Sequence, residues 1–139
     1  NVFKAVVAAE PGCNVNPAPS LSNFSTLIIK GGKSHYYPIA CESYFEVIKK
    51  INQVEYVLIP DVDHYFSLNN KIGKGKAFNG CSDNIILVYP SGTWIHLDGT
   101  LTNQKDARKK CMTNESGGSN TREKLNEAIN LALNFFDRY

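Results

Sequence analysis

Four cysteines constrain this 139-residue chain more than any other feature. They are Cys13, Cys41, Cys81 and Cys111, spaced 28, 40 and 30 positions apart. No two lie in a C-x-x-C pair, so neither a zinc knuckle nor a redox dithiol is written into the sequence. His35, His64 and His96 are equally scattered, so no metal site is expected. An even number of widely spaced cysteines fits two structural disulfides formed in an oxidising compartment. Two N-x-S sequons, at Asn23 and Asn114, point the same way. A chain that opens at Asn1, without an initiator Met or a signal-type apolar stretch, reads as a processed mature protein or an excised domain. The expectation is a secreted, extracellular, disulfide-bonded glycoprotein.

Composition fits one domain over residues 1–139. Hydrophobic residues make up 42% and charged residues 20%, which excludes a disordered chain and allows a real core. A net charge of +2 does not call for a specific nucleic-acid partner. No apolar run approaches the roughly 20 residues of a membrane span.

Residues 1–22 read as an extended arm whose first seven residues are apolar enough for a short strand, or else form a tail. Pro17 and Pro19 enforce loop geometry and Cys13 pins the arm to an α/β core over 23–139. Residues 24–30, FSTLIIK, predict a buried strand closed by Gly31-Gly32. Residues 41–51 carry Tyr44, Phe45, Ile48 and Ile51 at helical spacing, and 54–62 predict a second buried strand. Residues 69–80 and 101–118 are polar and read as exposed loops. Pro90-Ser91-Gly92 between IILVY and TWIHL predicts a β-hairpin with a type I turn and a positive φ at Gly92. Leu125, Ala128, Ile129, Ala132, Leu133 and Phe136 then mark the apolar stripe of a final helix, with Asn120 as its cap. Strand–helix–strand, hairpin and helix together predict one four-stranded mixed sheet flanked by helices.

This order resembles the thioredoxin-like superfamily over residues 24–139, and most closely its secreted members such as the N-terminal domain of selenoprotein P. The likeness rests on the helix that starts after Tyr37-Pro38-Ile39-Ala40-Cys41 and on the hairpin with its Tyr89-Pro90-Ser91-Gly92 turn. The chain departs from the superfamily at its redox centre. Pro38-Ile39-Ala40-Cys41 holds one sulfur where a redox enzyme has two, and Cys81-Ser82-Asp83-Asn84 lacks the proline that precedes the hairpin. The resemblance implies that Cys41 and Cys81 lie together and form a disulfide, which leaves Cys13 to Cys111.

Several groups could carry chemistry. Cys41 at a helix start could be an activated thiol, against the plainer reading of a half-cystine. Asp61, Asp63 and His64 follow a strand end, where α/β sheets often bind ligands. Gly73-Lys74-Gly75-Lys76 lacks the phosphate-loop pattern. Trp94 and His96 share one face of a strand and, with Tyr36 and Tyr37, could form an aromatic binding surface; the competing reading packs Trp94 under a helix. Lys105, Arg108, Lys109 and Lys110, with Lys71, Lys74 and Lys76, could form a basic face for an acidic polysaccharide.

The expected role is binding of an extracellular protein or acidic polysaccharide, without redox catalysis and without a cofactor. The alternatives are a thiol-disulfide oxidoreductase or peroxidase using Cys41, and a secreted toxin or hydrolase using His35, His64 or His96.

Overall fold

A computed structural model describes residues 3–63, 73–118 and 120–139. Its elements are β1 (Ala5–Ala9), β2 (Val15–Pro17), β3 (Ser25–Gly31), α1 (Pro38–Ile48), β4 (Val54–Ile59), β5 (Gly73–Ala77), β6 (Ile86–Val88), β7 (Trp94–His96), β8 (Leu101–Thr102), α2 (Gln104–Cys111), β9 (Thr113–Gly117) and α3 (Arg122–Phe136). The chain is a mixed α/β protein, as expected, and no described helix is long and apolar enough to cross a membrane.

The strands do not form the single sheet expected. β1, β3 and β4 make an all-parallel sheet in the order β1-β3-β4, with Val7 opposite Leu27 and Ile29 opposite Val57. The hairpin β6–β7 belongs to a second sheet, β2-β6-β7-β8. The arm causes the difference. Its first strand takes the free edge of β3, and β2 then pairs with β6, Val15 opposite Ile86. A third, two-stranded sheet joins β5 to β9.

β3 is central and buried on both faces, as its apolar run predicts. Alternation sends Leu27 and Ile29 to one side, where they cluster with Ile59, Val62, Ala128 and Phe135. Burying each large aliphatic side chain there contributes about 1.5–3 kcal/mol. On the α1 side, Ala40 and Cys41 cluster with Cys13, Ile85 and Leu87, so α1 and the hairpin share a core.

α1 begins three residues earlier than its periodicity suggests, because Pro38 suits the first helical turn, where its missing N–H costs nothing. α3 matches its predicted span, with two corrections. Thr121 is the cap, its side chain accepting from the Lys124 N–H at 3.3 Å, while Asn120 accepts from the Asp63 N–H at 2.8 Å. The helix also buries Ala128 and Phe135 and packs Leu131 and Ala132, leaving Ile129, Leu133 and Phe136 exposed. The sheet covers only one edge of a broad apolar stripe, and periodicity alone does not say which edge.

The hairpin turn is as predicted. The Gly92 N–H donates to the Tyr89 carbonyl at 2.9 Å, and Gly92 sits at φ +82°. Gly31 is needed for a different reason. A Cβ there would strike the Val62 carbonyl oxygen and stand 2.9 Å from Glu10 Oε1. Gly31→Ala should therefore lower stability by about 1–3 kcal/mol, the usual cost of overpacking. A urea titration that found the midpoint unchanged would refute this.

Candidate functional site at the carboxyl edge of the parallel sheet

The carboxyl ends of parallel strands are where α/β proteins usually place ligands. Here the chain leaves β1 at Glu10, β3 at Gly31 and β4 just before Val62-Asp63. Glu10 takes φ +54°, a left-handed conformation that costs a non-glycine residue roughly 1–2 kcal/mol. That turn drives its carboxylate inward. Oε1 accepts from the Gly31 N–H, and Oε2 lies 3.0 Å from Lys30 Nζ and 2.8 Å from Ser34 Oγ. Lys30 Nζ also donates to the Pro11 carbonyl and to Ser34 Oγ, each at 3.1 Å. Its side chain is 0% exposed. Burial pulls the Lys30 ammonium below the ordinary lysine value, while Glu10 pulls the other way.

Beside this network stands a second pair. His35 Nδ1 is 3.6 Å from Asp63 Oδ1. Asp63 Oδ2 accepts from the Gly118 N–H at 2.9 Å, and Asn79 donates from Nδ2 to the His35 carbonyl. Gly117 lets β9 approach this closely, since a Cβ there would lie 2.7 Å from His35 Nδ1. These side chains are largely buried, so the network ties the ends of β1, β3 and β4 to β9. The described residues contain no group of three or more His, Cys, Asp or Glu that could hold a metal ion.

All four cysteines are bonded, but not in the pairing the thioredoxin-like resemblance implies. The bonds are Cys13–Cys41, with Cα atoms 4.8 Å apart, and Cys81–Cys111, with Cα atoms 5.0 Å apart. The arm crosses the sheet edge at Glu10–Cys13 and meets the start of α1, so Cys13 takes Cys41. Cys81 ends a 3₁₀ turn, Asn79–Cys81, packed against the end of α2, where a Cβ on Gly80 would lie 3.0 Å from the Cys111 carbonyl oxygen. Cys41 is fully buried.

The other candidates separate. Trp94 packs half-buried against the cluster of Ile86, Ala107 and Cys111, and His96 is buried with Nδ1 3.0 Å from the Asn84 carbonyl oxygen. These two therefore do not join Tyr36 and Tyr37 in an open aromatic surface, because α2 forms where a polar loop was expected. Tyr37 is exposed, and its N–H donates to Asn79 Oδ1 at 3.2 Å. Arg108, Lys109 and Lys110 are exposed on the last turn of α2, where cations favour the helix dipole. The turn Asn79–Cys81 thus links Tyr37 at the start of α1 to the basic end of α2. Lys105 is exposed on the first turn of α2, and Lys74 and Lys76 are exposed on β5. Asp61 pairs with Lys33 at 2.9 Å on the surface, which holds its carboxyl below the usual range. Asn23 and Asn114 are both exposed. His64 and Lys71 lie outside the described residues.

Sequence reasoning singled out neither Glu10, Lys30 nor Ser34. An ionisable residue inside the apolar run LIIKGG was the available signal.

No protein-family model, curated protein or solved structure matches this chain.

Proposed function

We propose that the chain is a secreted, disulfide-stabilised binding domain without redox catalysis, and that its partner is an acidic polysaccharide held by the basic end of α2. The observation that carries this reading is the closure of both disulfides: Cys41 is buried and bonded to Cys13, and Cys81–Cys111 pins the turn bearing Arg108, Lys109 and Lys110. Sulfur here serves as a staple, and the exposed chemistry beside the second staple is cationic. From the thioredoxin-like likeness the reading keeps the β3–α1–β4 unit with a cysteine in the first turns of its helix. Glycans at Asn23 and Asn114 belong to the same reading, since both side chains are open to solvent.

Two measurements test it. Denatured but unreduced protein should take up no alkylating reagent; one or two reactive thiols would move the case to an oxidoreductase using Cys41. Binding to heparin, as a sulfated probe, should weaken as salt shortens the screening length from about 10 Å at 0.1 M to about 3 Å at 1 M. The variant R108A/K109A/K110A should bind at least tenfold more weakly than wild type with an almost unchanged melting temperature, because these side chains are exposed. Equal affinity in wild type and variant would rule out this face.

A further inference from the structure

Residues 15–22 form a strap across the α1 side of the parallel sheet. It is tied along its length. β2 pairs with β6, and the Ala18 N–H donates to the Val88 carbonyl at 2.8 Å. The Tyr44 hydroxyl donates to the Pro17 carbonyl at 3.2 Å. Asn52 donates to the Ser20 carbonyl at 2.9 Å and accepts from the Ser22 N–H at 2.7 Å. Beneath the strap lies a cavity of about 260 Å³. Ala8, Thr26, Ile28 and Val54 of the sheet and Ile48 of α1 line it, with Pro17 and Pro19 from the strap. Phe24 also lines it while 39% exposed, so the cavity opens to solvent on that side.

Among the described residues, no Asp, Glu, Lys, Arg or His lines this cavity. Its polar side chains are mostly engaged already. Tyr44 and Asn52 hold the strap, and Asn16 donates to the Cys13 carbonyl. Thr26, on the same face of β3 as Ile28, and the exposed Ser20 of the strap are the exceptions, since neither hydroxyl makes a hydrogen bond with the described residues. A well-held buried water needs two to four polar partners, and on the sheet side of the cavity, lined by Ala8, Thr26, Ile28 and Val54, the Thr26 hydroxyl alone falls short. Apolar cavities of about 150 Å³ stay dry and take up benzene. This one is larger and has no charge to offer a charged ligand.

We propose that the cavity beneath the strap binds a small, uncharged, apolar molecule of one or two rings, with the Thr26 hydroxyl available to one neutral polar group. The site lies on the α1 face of the sheet and is independent of the basic end of α2.

The test uses the full, disulfide-bonded chain and naphthalene, with anionic 2-naphthoate as the charged counterpart. Naphthalene should shift the methyl NMR signals of Ile28 and Ile48 saturably and raise the melting temperature. 2-Naphthoate should bind at least tenfold more weakly. Ala8→Phe should fill the space and weaken naphthalene binding at least tenfold while the protein stays folded, and Thr26→Leu provides a second blocking variant should Ala8→Phe fail to fold. The proposal is overturned if the wild type shows no saturable shift, if 2-naphthoate binds as tightly as naphthalene, or if a folded blocking variant binds naphthalene undiminished.

Discussion

Replacing Lys30 with Met should cost about 3–5 kcal/mol of folding stability, and Glu10→Gln a similar amount, because each leaves one charge buried without its counter-ion. The geometry makes this expectation strong. Lys30 Nζ is 3.0 Å from Glu10 Oε2, with side-chain exposures of 0% and 4%, so water cannot replace a missing partner. The double variant K30M/E10Q should lose clearly less than the sum of the two single losses. With both side chains almost fully buried, the cost of taking the two charges out of water offsets much of what the ion pair returns. Gln is chosen at position 10 because its amide oxygen can still accept from the Gly31 N–H, which the carboxylate satisfies in the wild type. Urea unfolding of the four proteins at one pH gives the coupling energy directly. Additive losses would mean that the two residues act separately, and single losses below about 1 kcal/mol would match an exposed pair better than a buried one.

The same residues show where sequence reading stops. The hairpin is legible because Pro90-Ser91-Gly92 is a local device: proline presets φ, glycine takes φ +82°, and the flanking residues alternate. β3 and α3 are legible because long apolar patterns depend little on context. α2 is not, since Ala107 and Cys111 are its only buried residues and make too short a stripe to stand out. Its trace lay in Asn103, whose side chain accepts from the Asp106 N–H at 3.0 Å. The β5–β9 ribbon, GKGKA against TNESG, has no apolar alternation and forms through backbone pairing. Glu10 could not be foreseen, because its role depends on a left-handed turn that its residue type does not favour. Disulfide pairing depends on where the arm travels, and an apolar start that suits either a short strand or a tail does not say which sheet edge it takes.

Removing Cys13–Cys41 by the double change C13S/C41S should cost about 3–4 kcal/mol, as should C81S/C111S, since each bond spans a similar length of chain. The two losses should differ in what accompanies them. Cys41 Sγ lies 3.5 Å from the Pro11 carbonyl oxygen, the same oxygen that accepts from Lys30 Nζ at 3.1 Å. The first disulfide therefore holds the Glu10–Cys13 turn over the buried ammonium, and its removal lets the turn and its strained Glu10 relax. Combining C13S/C41S with K30M/E10Q should give a loss smaller than the sum, because the disulfide then has no charge network left to position. Combining C81S/C111S with K30M/E10Q should be additive, because that bond anchors α2, away from the Glu10–Lys30 pair that the first disulfide adjoins through Pro11. Denaturant midpoints of the two combined proteins decide the matter. Equal coupling in both would mean that the disulfides act only on the unfolded chain, and the link between the first disulfide and the carboxyl edge of the sheet would have to be abandoned.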